Sequence, residues 1–321
     1  METTRTRLQE RSDEFFMKTK TGFILAALLF ASTILSAKDK IVVFHAGSLS
    51  VPFAAIESAF ESKYPEYDVL REAYGSRTAA RNITELKKPC DVIATADYKV
   101  IDELLIESGN ATYNALFATN SMVIMYTPKS KFANEINNQN WFNVIQRAGV
   151  NYGHSDPNAD PAGYRTMLVW KLSELFYKKQ GLFDSLVKNR PIKNIRPKET
   201  DLLALLESGQ LDYLFIYESV AKQHKMPYVK LPAQIDLSDP AKDGEYKKVF
   251  FDITGKKPGE IDRQYGEAIV YGLTIPKNQN SPQNPKGAEL FASFVLSKEG
   301  LEIMRANAHN PLPSVVIKGK K

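Results

Sequence analysis

Apolar residues fall along this chain in short runs that alternate with stretches of helical spacing. Ile41-Val42-Val43-Phe44 is a run of β-formers ending at Ala46-Gly47-Ser48. Val51, Ala55, Ile56, Ala59 and Phe60 then predict a helix over 51–64, with Pro52 in its first turn and Pro65 beyond its end. Val69 to Ala73 predicts a second strand, Gly75-Ser76 a turn, and Thr78 to Leu86 a second helix. Asp91 to Thr95 predicts a third strand and Ile101 to Ile106 a third helix. Strands alternating with helices give βαβ units and a mainly parallel sheet.

The second half repeats this grammar. Met122 to Tyr126 predicts a strand, Trp141 to Gln146 a short helix, Tyr164 to Tyr177 a long amphipathic helix, Asp201 to Glu207 another helix, and Asp212 to Tyr217 a strand. In both halves a helix, a tight turn, an Asp and an apolar strand follow one another, at 86–94 and again at 206–216. One architectural unit serves both. Val270 to Pro276 predicts a late return strand, and 286–306 a helical end piece broken near Gly300. The polar stretch 232–266, rich in Pro, Gly and Asp, predicts an insertion with a hairpin. Two βαβ lobes place a ligand beyond the carboxyl ends of the strands, at helix N-termini.

Residues 1–37 change the picture only at the front. From Met17 the chain has cationic Lys18 and Lys20, an apolar stretch from Phe23 to Leu35, and Ala37 as a small residue for cleavage. That is a secretory signal peptide with Met17 as the expected start codon, and it predicts a soluble secreted or periplasmic product. Net charge is +5, which suits an anionic ligand without calling for nucleic acid. The single cysteine, Cys90, excludes an intramolecular disulfide framework.

Candidate chemistry sits at strand ends. Gly47-Ser48 and Gly75-Ser76 each follow a strand and precede a helix, where a hydroxyl and free N–H groups would face an anion. Helix capping by either serine explains each one singly. Asp160, in the Asp160-Pro161-Ala162-Gly163 step, stands where an N-cap belongs. Glu199 opens a helix, and Tyr217 ends an apolar strand with its hydroxyl able to reach a cleft. His45, His154, His224 and His309 show no transition-metal spacing. No dinucleotide or phosphate loop, nucleophile elbow or helix-turn-helix stands out, so no cofactor and no enzymatic activity is expected.

The strings FHAGSLSVPF, ITELKKPCDVIATADY, GHSDPNADPAGYR, RPKETDLLALLESGQLDYLFIYESVAKQH and YGLTIPKN resemble the tungstate/molybdate-binding proteins of the Wtp/Mod type of ABC importer, over about residues 40–305. The resemblance implies a type II periplasmic-binding-protein fold, α/β, with two lobes and a hinge. Residues 38–119 and 266–321 would form one lobe and 120–265 the other. It implies that Gly47, Ser48, Ser76, Asp160, Pro161, Ala162, Glu199 and Tyr217 contact the oxyanion. Asp160 and Glu199 would add carboxylate oxygens to a six-coordinate tungsten or molybdenum. Ala162 stands where the family often has Cys. The implied partner is the membrane permease of the importer, served by a monomer. Sulfate, thiosulfate or ferric iron are the alternative cargoes on the same fold. A carboxylate repels sulfate in a dry cleft, whereas a large d⁰ metal centre accepts carboxylate oxygens directly.

Overall fold

The computed structural model describes residues 37–319 apart from Pro258, so the predicted leader lies, through residue 36, outside the described residues. The predicted opening is observed with longer elements: β1 (Asp39–Ala46), α1 (Ser50–Lys63), β2 (Tyr67–Tyr74), α2 (Ser76–Thr84) and β3 (Val92–Thr95). A strand absent from the sequence reading, β4 (Tyr113–Thr119), leads through residues 120–121 into β5 (Met122–Tyr126) of a second sheet. That sheet is completed by β6 (Tyr152–Ser155), β7 (Ile195–Arg196), β8 (Tyr213–Tyr217) and β9 (Tyr228–Lys230). After a separate antiparallel hairpin, β10 (Phe250–Thr254) and β11 (Ile261–Tyr265), the chain returns to the first sheet as β12 (Val270–Thr274). A last strand, β13 (Asn310–Gly319), adds to the edge beside β4.

The sheets are mixed and not mainly parallel. In the six-stranded sheet β1 is parallel to β2 and β3, while β12 runs antiparallel to both β3 and β4. In the five-stranded sheet β6 is parallel to β7 and β8, while β5 runs antiparallel to β8 and β9. The cause is connectivity. β5 and β12 are the strands that have just crossed from the other sheet. A strand entering from the opposite end must run against strands built by local βαβ crossovers. Leaving β13 aside, both sheets then share one order: second, first and third local strand, crossing strand, fourth.

The repeated Asp before a strand has a physical role in each sheet. Asp91 accepts from the N–H groups of Val42 (2.7 Å), Gln283 (2.6 Å) and Asn284 (2.8 Å). Asp212 accepts from Lys131 (3.0 Å) and Asn151 (2.8 Å). Each carboxylate therefore clips neighbouring segments where the sheet begins. Asp91→Ala leaves three backbone donors without that acceptor and is expected to cost about 2–4 kcal/mol in denaturant unfolding. A cost under about 1 kcal/mol would refute the clip.

Two helical expectations are corrected. The long helix, α3 (Pro161–Phe176), is not amphipathic: it is buried on all faces from Pro161 to Trp170. It is wedged among β5, β6, β8, the helix Leu182–Asn189 and β10, which leaves no solvent side for its first turns. The C-terminal break falls at Ser297, between α4 (Pro285–Leu296) and α5 (Lys298–Ala306), and not at Gly300. Ser297 caps α5 by accepting from the Gly300 N–H at 3.2 Å. Gly300 itself is needed because an added Cβ would run into the Phe294 and Val295 carbonyls.

Candidate functional site

The carboxyl ends of the locally built strands carry turns that meet between the sheets. After β1, the short turn Gly47–Leu49 brings Gly47 against the Glu199 side chain; a Cβ there would lie 3.1 and 3.2 Å from its two oxygens. After β2, Gly75 is pressed against the carbonyls of Ala159 and Pro197, which a Cβ would approach to 2.5 and 2.9 Å. Close backbone approach, not a left-handed φ, requires glycine at Gly75, whereas the atoms nearest Gly47 are side-chain ends, with Thr200 Oγ1 at 2.9 Å from an added Cβ.

Neither serine caps its helix. Ser48 is buried, and its Oγ lies 2.9 Å from the Tyr271 hydroxyl. Ser76 is the first residue of α2; its Oγ accepts from the Ala96 N–H at 3.0 Å. Helix capping, sufficient for each serine singly in the sequence, therefore does not account for either. Asp160 does cap α3, its Oδ1 accepting from Ala162 N–H at 3.1 Å, and its Oδ2 accepts from Glu199 N–H at 2.9 Å. One carboxylate thus ties the α3 turn to the Glu199 turn. Pro161 and Ala162 are buried beside it. Tyr217 closes β8, and its hydroxyl accepts from Arg165 Nη1 at 2.8 Å.

Glu199 is the anomaly. It is 1 % exposed, and neither of its carboxylate oxygens makes a hydrogen bond of good geometry, although the Ser48 N–H and the Asp160 carboxyl lie near enough to bear on its proton. Burial first, then the charge of neighbouring Asp160, pushes its carboxyl well above the usual range. Burial also raises Asp160, against the hydrogen bonds that hold its charge. An unpartnered ionised carboxylate is among the costliest things a protein interior can hold.

Sequence reasoning missed the residues behind these groups. Arg165 of α3 is 3 % exposed and donates to the Ala96 carbonyl at 2.6 Å as well as to Tyr217, while pairing with Asp97 at 3.1 Å. Burial opposes its charge, yet Tyr217, Asp97 and Tyr164 around it hold its pKa above the usual arginine value. Tyr164 donates to the same Asp97 carboxylate at 2.6 Å. Thr78 N–H to the Ala159 carbonyl (3.3 Å) and Lys198 to the Ala73 carbonyl (3.3 Å) add bonds across the same seam. The signal for it in the sequence is an arginine one turn into a helix whose first ten residues, Pro161 to Trp170, are otherwise uncharged.

Among the described residues, no three His, Cys, Asp or Glu side chains are grouped as a cation site. His45 and His154 are buried, each with Nδ1 on a backbone carbonyl, and burial lowers their pKa values to about 4 and about 3.

Residues 41–307 match the family model described as bacterial extracellular solute-binding protein. The chain belongs to that family. This solute-binding protein is 54 % identical over 291 residues to an uncharacterized solute-binding protein of Petrotoga mobilis, covering 90 % of this chain and 89 % of the other. It is 42 % identical over 298 residues to the molybdate/tungstate-binding protein WtpA of Pyrococcus abyssi, covering 84 % and 83 %. Among solved structures it is similar to the periplasmic molybdate-binding protein of Azotobacter vinelandii, with a TM-score of 0.57 and 18 % identity over 85 % of this chain and all of that one. It is also similar to the sulfate-binding protein SubI of Mycobacterium tuberculosis, with a TM-score of 0.59 and 11 % identity, covering 86 % and 88 %. At those identities the structures speak for the fold alone: two lobes of the type II periplasmic-binding kind.

Proposed function

We propose that this solute-binding protein captures tungstate or molybdate in the cleft and hands it to the membrane permease of an ABC importer. The observation that carries the reading is Glu199, whose two buried oxygens make no well-formed hydrogen bond and lie beside the Asp160 carboxyl. A metal centre able to expand its coordination satisfies those oxygens, with Asp160 as the second carboxylate ligand. Gly47, Ser48, Ser76, Pro161, Ala162 and Tyr217 would meet the oxo groups through N–H and O–H donors or line their pocket. Sulfate cannot accept a carboxylate oxygen, and each pair of like unit charges about 4 Å apart costs on the order of 4 kcal/mol at an effective dielectric of about 20. The WtpA relatives' names agree with this cargo.

The ligand leaves unchanged, so the role is transport without catalysis or cofactor, and the protein acts as a monomer without nucleic acid. The reading takes 38–119 with 266–321 as one lobe and 120–265 as the other, and the two crossings between the sheets support it. Calorimetric titration of the mature chain is expected to give strong heats with tungstate or molybdate and none with sulfate at equal concentration. Comparable heats for sulfate would sink the reading.

Export is expected to depend on Met17 to Ala37 and not on residues 1–16. The extracellular family supports it, as does β1, which starts at Asp39, two residues after Ala37. A chain begun at Met17 should be secreted and processed near Ala37. Residues 1–16 found on the exported protein by N-terminal sequencing would refute the start site.

A further inference from the structure

The hairpin β10–β11 belongs to neither large sheet, and the proposed site makes no use of it. Its root rests on the 120–265 part of the chain. β10 packs on α3, Phe251 meets Phe183 with ring centroids 6.4 Å apart, and Lys171 lies over the Phe250 ring at 5.2 Å. Asn158, in the turn before Asp160, ties it further. Its Oδ1 accepts from the Thr254 N–H at 2.9 Å and from the Thr254 hydroxyl at 2.7 Å.

The other end of the hairpin grips α2, the helix that Ser76 opens. Arg77 is 1 % exposed; it pairs through Nη1 with Asp262 at 2.9 Å and donates through Nη2 to the Thr254 carbonyl at 3.1 Å. One turn on, on the same helix face, Arg81 donates through Nη2 to the carbonyls of Gly255 (3.1 Å) and Thr254 (3.4 Å), and through Nη1 to that of Asn158 (3.4 Å). An exposed pair, Lys256–Glu107 at 2.7 Å, joins the same two parts of the chain. Thr254 is the joint. Its N–H and hydroxyl hold the turn that leads to Asp160, and its carbonyl is held by the helix that starts at Ser76.

We infer that the β10–β11 hairpin is a latch: rooted on one lobe, it grips through Arg77 and Arg81 the helix behind Ser76 on the other, and so sets how slowly the closed cleft releases its oxyanion. This rests on the two-lobe oxyanion reading above and adds to it what governs residence. The grip consists of side-chain bonds between the lobes, so parting the lobes undoes all of it. Association starts from the open form, in which these bonds are unmade, and their loss leaves the on-rate alone. Release has to break them first. Arg77 and Arg81 are positioning residues here, since they act on the oxyanion only through α2 and the hairpin.

Rates separate a latch from a hairpin that only supports the fold. Radioactive tungstate, molybdate and sulfate are each offered to the mature chain. Association is followed by rapid mixing and release by dilution into the same unlabelled anion. Asp262→Asn keeps the shape, and its amide oxygen can still accept from Gln264, but buried Arg77 loses its carboxylate. Release is expected to quicken at least about tenfold in Asp262→Asn and about threefold to tenfold in Arg81→Gln, with association within about twofold of wild type. Arg263→Gln cuts the exposed Arg263–Asp252 pair (2.7 Å) inside the hairpin and is expected to release as wild type does. Wild-type release in Asp262→Asn and Arg81→Gln, beside lowered ligand-free melting midpoints, overturns the latch and leaves a structural hairpin. A loss of affinity carried by slower association overturns it too, as does release in Arg263→Gln as fast as in Asp262→Asn. Wild type that holds sulfate and neither of the other anions overturns the cargo instead, and the rates read with sulfate still decide the latch. Binding of none of the three overturns both.

Discussion

Gly75→Ala is expected to abolish ligand binding while leaving the ligand-free protein as stable as before or slightly more so. The added methyl would sit 2.5 Å from the Ala159 carbonyl oxygen and 2.9 Å from that of Pro197, both on the facing lobe. Backbone carbonyls cannot rotate aside as a long side chain can, so the only relief is to hold the lobes apart. That forfeits the seam: Thr78 to Ala159, Lys198 to Ala73, and the Arg165–Asp97 pair. The affinity loss is expected to reach at least about a hundredfold, since overpacking alone costs about 1–3 kcal/mol and the cross-lobe bonds add to it. Nothing local objects to alanine. Gly75 has φ −61° and ψ 137°, which any residue adopts, and Gly→Ala at a compatible position stabilises by about 0.4–1 kcal/mol through the unfolded chain. A melting curve that does not move with tungstate, beside an unchanged ligand-free midpoint, is the expected pair of results. Gly244, where a Cβ meets nothing within 4 Å, is the control. Wild-type affinity in Gly75→Ala would mean that the lobes do not close at this seam.

The reach of the sequence can be judged from particular elements. β1, β3, β5, β8 and β12 are legible because each is a run of apolar β-formers beside a turn signal, while β2, with Arg71 and Glu72 inside it, is marked chiefly by Val69-Leu70 and the Gly75-Ser76 turn. β6 is not: Tyr152-Gly-His-Ser is buried throughout yet polar in letters, its His154 held by the Ser155 carbonyl and Arg190. β13 carries two prolines and an exposed face, which argue locally against a strand; only pairing with β4 makes it one. The direction of β5 and β12 follows from lobe crossing, a property of the whole chain. At the site, spacing placed Asp160 as a cap and Glu199 at a helix start, and both positions are observed. The Asp160–Glu199 backbone bond and the bonds of the two serines join residues 20 to 223 positions apart, and no local pattern encodes them.

The carboxylate pair gives the sharpest expectation, and the structure decides which residue to change. Asp160→Asn is compromised, because Asp160 accepts from two backbone N–H groups and an amide NH₂ would face one of them. Glu199→Gln is the cleaner change, because neither oxygen makes a well-formed hydrogen bond that it would lose. If the pair ligates tungsten, Glu199→Gln is expected to weaken tungstate by about a hundredfold or more, the scale of losing a charged ligand in a closed site. In an ordinary oxyanion site it would strengthen binding by deleting a repulsion, and sulfate is expected to gain in this variant for that reason. The pH dependence has the same logic. Glu199 holds its proton more tightly in the closed fold than in the unfolded chain. Its contribution to ligand-free closed stability is therefore full below the usual carboxyl pKa and is lost as pH rises through the raised value. Ligation needs the proton gone, so wild-type tungstate affinity is expected to fall as pH is lowered, and Glu199→Gln to flatten that slope. X-ray absorption at the tungsten edge reads the coordination directly: six oxygens in wild type, fewer in Asp160→Ala/Glu199→Ala. A regular four-oxygen tetrahedron in the wild-type complex would rule out the ligand role and leave the Glu199 carboxylate protonated beside its anion.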